Sequence, residues 1–222
     1  MLSDSRIRYI HNDQRTGLIA QRNQALKESR CEWVAILDAD DVARPERLQK
    51  QWEFLHANPS ISVLGSWIEI IDQNGQLVGL RRYPECHDAI MRTMRRYNAI
   101  AQPAVVLCKQ AVDSVGGYAD EYPVAEDYEL WSRLIASGYR VANLQLPLLK
   151  YRIHAAASKT ERLRELLRMT IKVKRHYYMR NFNSVDWLRY LAEHCMLCLP
   201  PILVYKLFFM LTFRKPVTHQ SA

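Results

Sequence analysis

Five cysteines among 222 residues, an odd number, leave this chain without the paired framework of a small secreted domain, and no apolar segment follows Met1 to act as an export signal. A reducing cytoplasm is the expectation. Cys195 and Cys198 have the spacing of half a zinc site, but no second pair accompanies them and Met196 and Leu197 lie between, so they read as two residues on a helix face. Nor is there a run of about 20 apolar residues to cross a bilayer. The best candidate, Leu199 to Phe213, is interrupted by Pro200, Pro201 and Lys206. Internal repeats, low-complexity tracts and a Gly, Ser or Pro linker are missing as well. With 49% hydrophobic and 24% charged residues, the chain is expected to form one globular domain with an appendage, not a disordered polymer.

The formal charge of +8 is unevenly placed. From Lys159 onward lie 12 of the 31 Lys/Arg and four of the 23 Asp/Glu, so the whole excess falls in the last segment. Its cations alternate with long apolar residues and do not form an aromatic stacking platform. An anionic membrane surface is therefore the expected partner in preference to nucleic acid, with packing of Leu199 to Phe213 on the domain's own core as the competing reading. The division expected is a folded unit over 1–158 and a basic, apolar helical tail over 159–222.

Periodicity sets out the elements. Ile7 to His11 reads as a strand and Thr16 to Ser29 as a helix whose Leu18, Arg22, Ala25 or Leu26, and Ser29 share a face, directing Arg22 inward or to a site edge. The unalternating run Trp33 to Leu37 suits a strand covered on both faces in a parallel sheet. Pro45 opens a helix with Leu48, Trp52 and Leu55 at helical spacing, stopped by Asn58-Pro59. Ile61 to Ile71, Asn74-Gly75 and Leu77 to Tyr83 form a hairpin pattern, and Pro103 to Cys108 is a further strand. Gly116-Gly117-Tyr118 breaks the chain before an amphipathic helix from Glu126, carrying Leu130, Trp131, Leu134 and Ile135 and ending at Gly138. Val141 to Ile153 is extended with an interruption at Pro147, and a basic helical pattern begins at Thr160.

Two acidic clusters stand where chemistry is expected. Asp38, Asp40 and Asp41 follow an apolar strand, the place where ligands gather in open α/β sheets. Alternate carboxylates of an extended segment point to one side, and such oxygen ligands suit a hard divalent cation whose remaining positions a diphosphate fills. The plainer alternative is a solvated loop capping the helix near Pro45. Glu126 and Asp127 occupy a first helical turn, where the helix dipole favours ionised acids; charge capping alone would account for them. Arg22 has the reach for a phosphate, although a salt bridge explains it equally well.

The stretches Gly17-Leu18-Ile19-Ala20-Gln21-Arg22-Asn23, Ile36-Leu37-Asp38-Ala39-Asp40-Asp41 and Pro45-Glu46-Arg47-Leu48 resemble consecutive motifs of family 2, GT-A-type glycosyltransferases. Gly65-Ser66, Arg82-Tyr83-Pro84, Gly116-Gly117-Tyr118, Ala125 to Trp131 and Tyr151-Arg152-Ile153-His154 continue the likeness, which runs from Ile7 to Ser158. The resemblance implies an α/β fold, an incomplete GT-A (Rossmann-like) mixed sheet flanked by helices, with a helical C-terminal tail. It also implies transfer of a sugar, with inversion, from a nucleotide-diphosphate donor to a glycan or lipid-linked acceptor hydroxyl; the cysteines and the basic tail add the expectation of a cytoplasmic protein, peripheral on the cytoplasmic face of a membrane. Asp38 and Asp40 would hold Mg²⁺ or Mn²⁺ on the donor diphosphate, helped by Asp41. Asp127 would be the general base, with Glu126 as its orienting neighbour. Arg22 would contact the donor, and His154 would approach the metal. Trp67, Tyr118 and Trp131 are candidates for a wall against a sugar ring, Trp131 also for the core.

The family begins with a strand, a turn, a helix and a second strand ending in an acidic nucleotide-binding turn, which have no counterpart before Ile7. An N-terminally truncated domain is thus expected, with a non-catalytic remnant or membrane-bound scaffold as the alternative function. Gln102 stands before Pro103 where many relatives resemble His-Pro. Asp38-x-Asp40-x-Val42 also fits the nucleophile motif of haloacid-dehalogenase-type phosphatases, but Glu126-Asp127 opens a helix and does not end a buried strand as that class requires.

Overall fold

A computed structural model describes residues 4–153 and 160–199. Helix α1 (Leu18–Glu28) precedes the short strands β1 (Trp33–Ala35) and β2 (Val42–Ala43), helix α2 (Arg47–Ala57) and the hairpin β3 (Ile61–Ile71) and β4 (Leu77–Arg81). After α3 (His87–Met94), β5 (Val106–Cys108), α4 (Lys109–Ser114) and α5 (Glu126–Ala136) comes the long β6 (Arg140–Arg152), then α6 (Thr160–Tyr177) and α7 (Ser184–Leu197). The sheet order is β1-β5-β3-β6-β2, with β4 also on β3. β3 and β6 are parallel, and every other pair is antiparallel, so the sheet is mixed and flanked by helices.

The central strand explains the layers. Successive side chains of a strand point to opposite faces, and both faces of β3 are covered, so Val63 and Leu64 are each fully buried in different clusters. Val63 meets the larger core, where Ile90, Met94, Leu130, Trp131, Leu134 and, from α6, Val173 pack. Leu64 meets Leu55 of α2. The hairpin closes as its Asn-Gly predicts, with Gly75 at φ 82°. Pro147, facing Trp67, marks a register shift between β3 and β6, as expected of a residue that cannot donate to the ladder.

Four expectations need correction. Ile7 to His11 forms no strand and joins no ladder among the described residues, so its side chains stay exposed. Trp33 to Leu37 gives a strand of only three residues at the edge of the described sheet, antiparallel to β5, and Leu37 is exposed because no strand among the described residues flanks it on its other side. The buried face of α1 is Ile19 and Leu26, with Leu18 turned to solvent. In α2 the buried face is Arg47, Gln51 and Leu55, whereas Leu48 and Trp52 point outward. Hydrogen bonding decides that last case. Arg47 Nη2 donates to the carbonyls of Ile36 (2.8 Å) and Val105 (3.1 Å), and Gln51 Nε2 donates to Ala104 (2.8 Å). Buried carbonyls left without donors would cost more than the burial of two apolar side chains returns.

Gly65 is required by close approach. Its register partner is Asn143, and a Cβ at position 65 would lie 2.2 Å from Asn143 Oδ1. Asn143 cannot step aside, because its Nδ2 donates to Pro84 (2.8 Å) and Ala99 (3.0 Å) and its N–H to Glu85 (2.9 Å). Gly65→Ala is expected to lower stability by about 2–4 kcal/mol, read as a fall in the urea midpoint. An unchanged midpoint would show that the Asn143 clamp is slack.

Candidate active site

The acidic segment after β1 is a turn, not the extended run expected, and the Asp41 N–H closes it on the Asp38 carbonyl (3.2 Å). The chain must reverse here because β2 begins at Val42 and pairs with β6. Arg152, at the end of β6, fastens the turn. Its N–H donates to Asp41 Oδ1 (2.9 Å), its Nε to the Asp40 carbonyl (2.9 Å) and its Nη1 to the Asp72 carbonyl (3.1 Å). Asp41 is thereby turned inward and buried, with Oδ2 lacking a hydrogen-bond partner among the described residues. Burial, then the charges of Asp40 and Asp38, push its carboxyl up to about 6 against the Arg152 N–H. Asp38 is more open; burial and the Asp40 charge raise it while Arg22 lowers it.

The second acidic pair opens α5. Glu126 is buried and Asp127 half-buried in the first turn, at the positive end of the helix dipole. Asp127 Oδ2 accepts from Asn98 Nδ2 (2.8 Å) and Oδ1 from the Tyr128 N–H (2.7 Å). Burial and the adjacent Glu126 charge nevertheless raise its carboxyl to about 6, opposed by the Tyr128 N–H, Arg22 and Asn98.

Arg22 joins the two acidic segments. From α1 its Nη1 donates to Glu126 Oε1, its Nη2 stands 3.8 Å from Asp38 Oδ1, and its guanidinium lies 5.6 Å from the Tyr118 ring centroid. One turn of helix thus brings Asp38, Glu126 and Asp127 around a single largely buried cation. The next residue holds the floor: Asn23 Oδ1 accepts from the Tyr118 N–H (2.8 Å) and Nδ2 donates to the Tyr118 carbonyl (2.9 Å). Gly117 must be glycine for this lock, since its φ is 74° and a Cβ would come 2.7 Å from Asn23 Oδ1. Tyr118 in turn accepts a hydrogen bond from Gln102 Nε2 (2.6 Å), while the buried Gln102 Oε1 has no partner among the described residues.

Not every candidate belongs here. Trp131 is wholly enclosed in the core and cannot face a sugar. Trp67 spends its indole N–H on the Tyr83 carbonyl (2.9 Å) and carries Arg82 over its ring. His154 lies outside the described residues. Among the described residues no group of three or more His, Cys, Asp or Glu is placed to hold a metal. The donor set of the acidic turn nevertheless fits a hard cation shared with a ligand. Asp38 and Asp40 are neighbouring carboxylates, Asp38 being raised by burial and, against Arg22, by the Asp40 charge, and a diphosphate would complete the coordination. Sequence reasoning missed Asn98, Asn23 and Arg152. Arg152 lay inside a quoted motif, whereas Asn98 had no local signal.

A family model described as Glycosyl transferase family 2 matches residues 1–112, half of the chain. A glycosyltransferase of Methanocaldococcus jannaschii is 34% identical over 153 residues, 68% of this chain and 52% of that protein. A UDP-Gal:alpha-D-GlcNAc-diphosphoundecaprenol beta-1,3-galactosyltransferase of Escherichia coli is 29% identical over 168 residues, 76% of this chain and 61% of that one. An amylovoran biosynthesis glycosyltransferase of Erwinia amylovora is 33% identical over 136 residues, 61% and 50% of the two chains. The chain spans about half the length of the curated relatives it matches.

Proposed function

Since the chain belongs to glycosyl transferase family 2, we propose that Arg22, Asp38, Asp40, Glu126 and Asp127 form the donor and base sides of an inverting sugar-transfer site. Family membership sets aside the phosphatase reading. One observation carries the proposal: Arg22 links the acidic turn after β1 to the acidic start of α5, where its partner Glu126 lies 104 residues further along the chain. In this reading Asp127 accepts the proton of an acceptor hydroxyl while that oxygen bonds to the anomeric carbon. The bond from that carbon to the diphosphate oxygen breaks with its electron pair leaving on the nucleotide. A carboxylate raised to about 6 is ionised at neutral pH and basic enough to take that proton.

Asp38 and Asp40 would hold Mg²⁺ or Mn²⁺, which supplies positive charge against the departing diphosphate. Glu126 keeps Arg22 in place and, by its own charge, raises Asp127. The acceptor proposed is a glycan or lipid-linked sugar hydroxyl, following the Escherichia coli relative whose name includes a diphosphoundecaprenol-linked acceptor. Its working place would be the cytoplasmic surface of a membrane, held peripherally by the C-terminal segment. No helix among the described residues is long and apolar enough to cross one.

Labelled nucleotide-sugars offered with a polyprenyl-diphosphate-linked sugar should give labelled product in Mn²⁺ and none in excess EDTA. Donor binding without product would reject turnover in favour of a non-catalytic remnant. Absence of both binding and product would reject the donor site itself.

A further inference from the structure

Helix α7 is amphipathic in the inverted sense. Toward the protein it turns Asp186, Tyr190 and Glu193, all buried and spaced on one face. Their charges are answered there. Asp186 Oδ1 accepts from Arg96 Nε (2.8 Å) with Arg95 at 3.9 Å, and both Glu193 oxygens accept from the buried Lys174 Nζ of α6 at 2.6 Å. The opposite face carries Val185, Leu188 and Leu191, which are 59%, 71% and 57% exposed, with Trp187 beside them at 41%. A capping box from Asn183 and Asp186 fixes where the helix starts and hence which residues face outward.

Rotating the helix to bury these leucines would strand Asp186 opposite nothing and leave Lys174 an unpaired buried cation. The apolar face is therefore held outward by the fold's own ion pairs.

We propose that this face of α7 lies in the interface of an anionic lipid bilayer. Charge argues for that occupant. The helix preceding α7 exposes Arg168, Lys172 and Arg175 along one face, followed by Arg180, with Lys172 Nζ donating to the Glu121 carbonyl (3.0 Å), and Glu165 is the one exposed acid on that face among the described side chains. α6 and α7 are joined at both levels, through Lys174 to Glu193 and through Arg164 Nη2 to the Leu199 carbonyl (2.7 Å), so the cationic and apolar faces travel as a unit. Leucines and an indole on one helix, with a cationic stripe on the helix joined to it, match a surface that is oily below and negatively charged above. The sequence beyond α7 repeats the combination, with Ile202, Leu203, Val204, Leu207 and Phe208 around Lys206 and the pair Arg214-Lys215 after them. This deepens the membrane placement proposed above but does not depend on sugar transfer, because binding to vesicles is measured without donor or acceptor.

The full chain should float with phosphatidylcholine vesicles containing phosphatidylglycerol and should not float with pure phosphatidylcholine. Leu188→Glu with Leu191→Glu should weaken that binding at least about tenfold. Brominated lipids should quench tryptophan emission of the parent, and Trp187→Phe should abolish that quenching, which tests the face even where the double variant folds poorly. Three results would overturn the proposal. One is flotation unaffected by the double substitution. Another is a parent dimer that the substitution converts to a vesicle-indifferent monomer, making a second copy the occupant. The last is a parent that ignores anionic vesicles while the substitution lowers its melting temperature, which would assign the face to residues 200–222 of the chain itself.

Discussion

Asp127→Asn is expected to lower sugar transfer by about 10³-fold and, at the same time, to raise the melting temperature measured at about pH 8. The first effect follows from loss of the only group in the Asn98–Asp127–Tyr128 arrangement able to accept a proton. The second follows from the direction in which that carboxyl titrates. Folding lifts it from 3.8 to about 6, chiefly by burial and by the neighbouring Glu126. A raised carboxyl pKa means that the folded protein holds this proton more tightly than the unfolded one. The resulting stability is complete below about pH 4 and is lost as pH rises through about 6. Asparagine keeps one oxygen to accept from the Tyr128 N–H and gives up the acceptor that Asn98 uses, at a cost of about 1 kcal/mol; it never ionises and so avoids the larger loss, on the order of 1–3 kcal/mol. Calorimetry at about pH 4 and about pH 8 should therefore show the variant level with the parent or slightly below it at the lower pH and more stable at the higher one. Parent activity should climb with pH through about 6 and then level off. Full transfer by the variant would move the base elsewhere; loss of transfer with no gain in stability would mean that Asp127 is better solvated than its surroundings suggest.

Much of the scaffold is written in local pattern. β3 is visible in its β-branched run, its turn in Asn74-Gly75, and α5 in apolar spacing that ends at the positive-φ Gly138, because each depends on residues within a few positions of one another. The reading failed where distant groups decide. Nothing near Arg47 and Gln51 announces that the carbonyls of Ile36, Leu64, Ala104 and Val105 need donors, so Leu48 and Trp52 looked like the inner face. The unalternating Trp33 to Leu37 run implied two neighbours, yet among the described residues only β5 lies alongside. In the candidate site the acids stood out by clustering, and motif resemblance marked Arg22. Its partner Glu126 lies 104 residues away, and the Asn98 contact comes from a loop without periodicity. The inverted face of α7 was hidden for the same reason: its inward charges make sense only beside Arg95, Arg96 and Lys174.

Asp40→Ala separates a metal-holding carboxylate from a structural one. The fold's hold on this residue includes its backbone, since the Asp40 carbonyl accepts from Arg152 Nε, and alanine retains that bond. The Asp40 charge raises both Asp38 and Asp41, so it adds repulsion to a turn already crowded with acids. Removing the carboxylate therefore relieves that repulsion on Asp38 and Asp41. If Asp38 and Asp40 together grip the cation that joins the protein to a nucleotide diphosphate, the same change should weaken Mn²⁺-dependent donor binding by at least about tenfold, followed by titration calorimetry with and without EDTA. Binding in EDTA should be equal in parent and variant, because the contacts outside the cation are untouched. Asp41→Asn supplies the contrast. Its carboxyl is buried on the Arg152 N–H and turned away from solvent, so it should alter stability against pH while leaving the Mn²⁺ dependence in place. Unchanged Mn²⁺-dependent binding in Asp40→Ala, or its loss in Asp41→Asn alone, would transfer the metal role from the outer pair of the turn to its inner member.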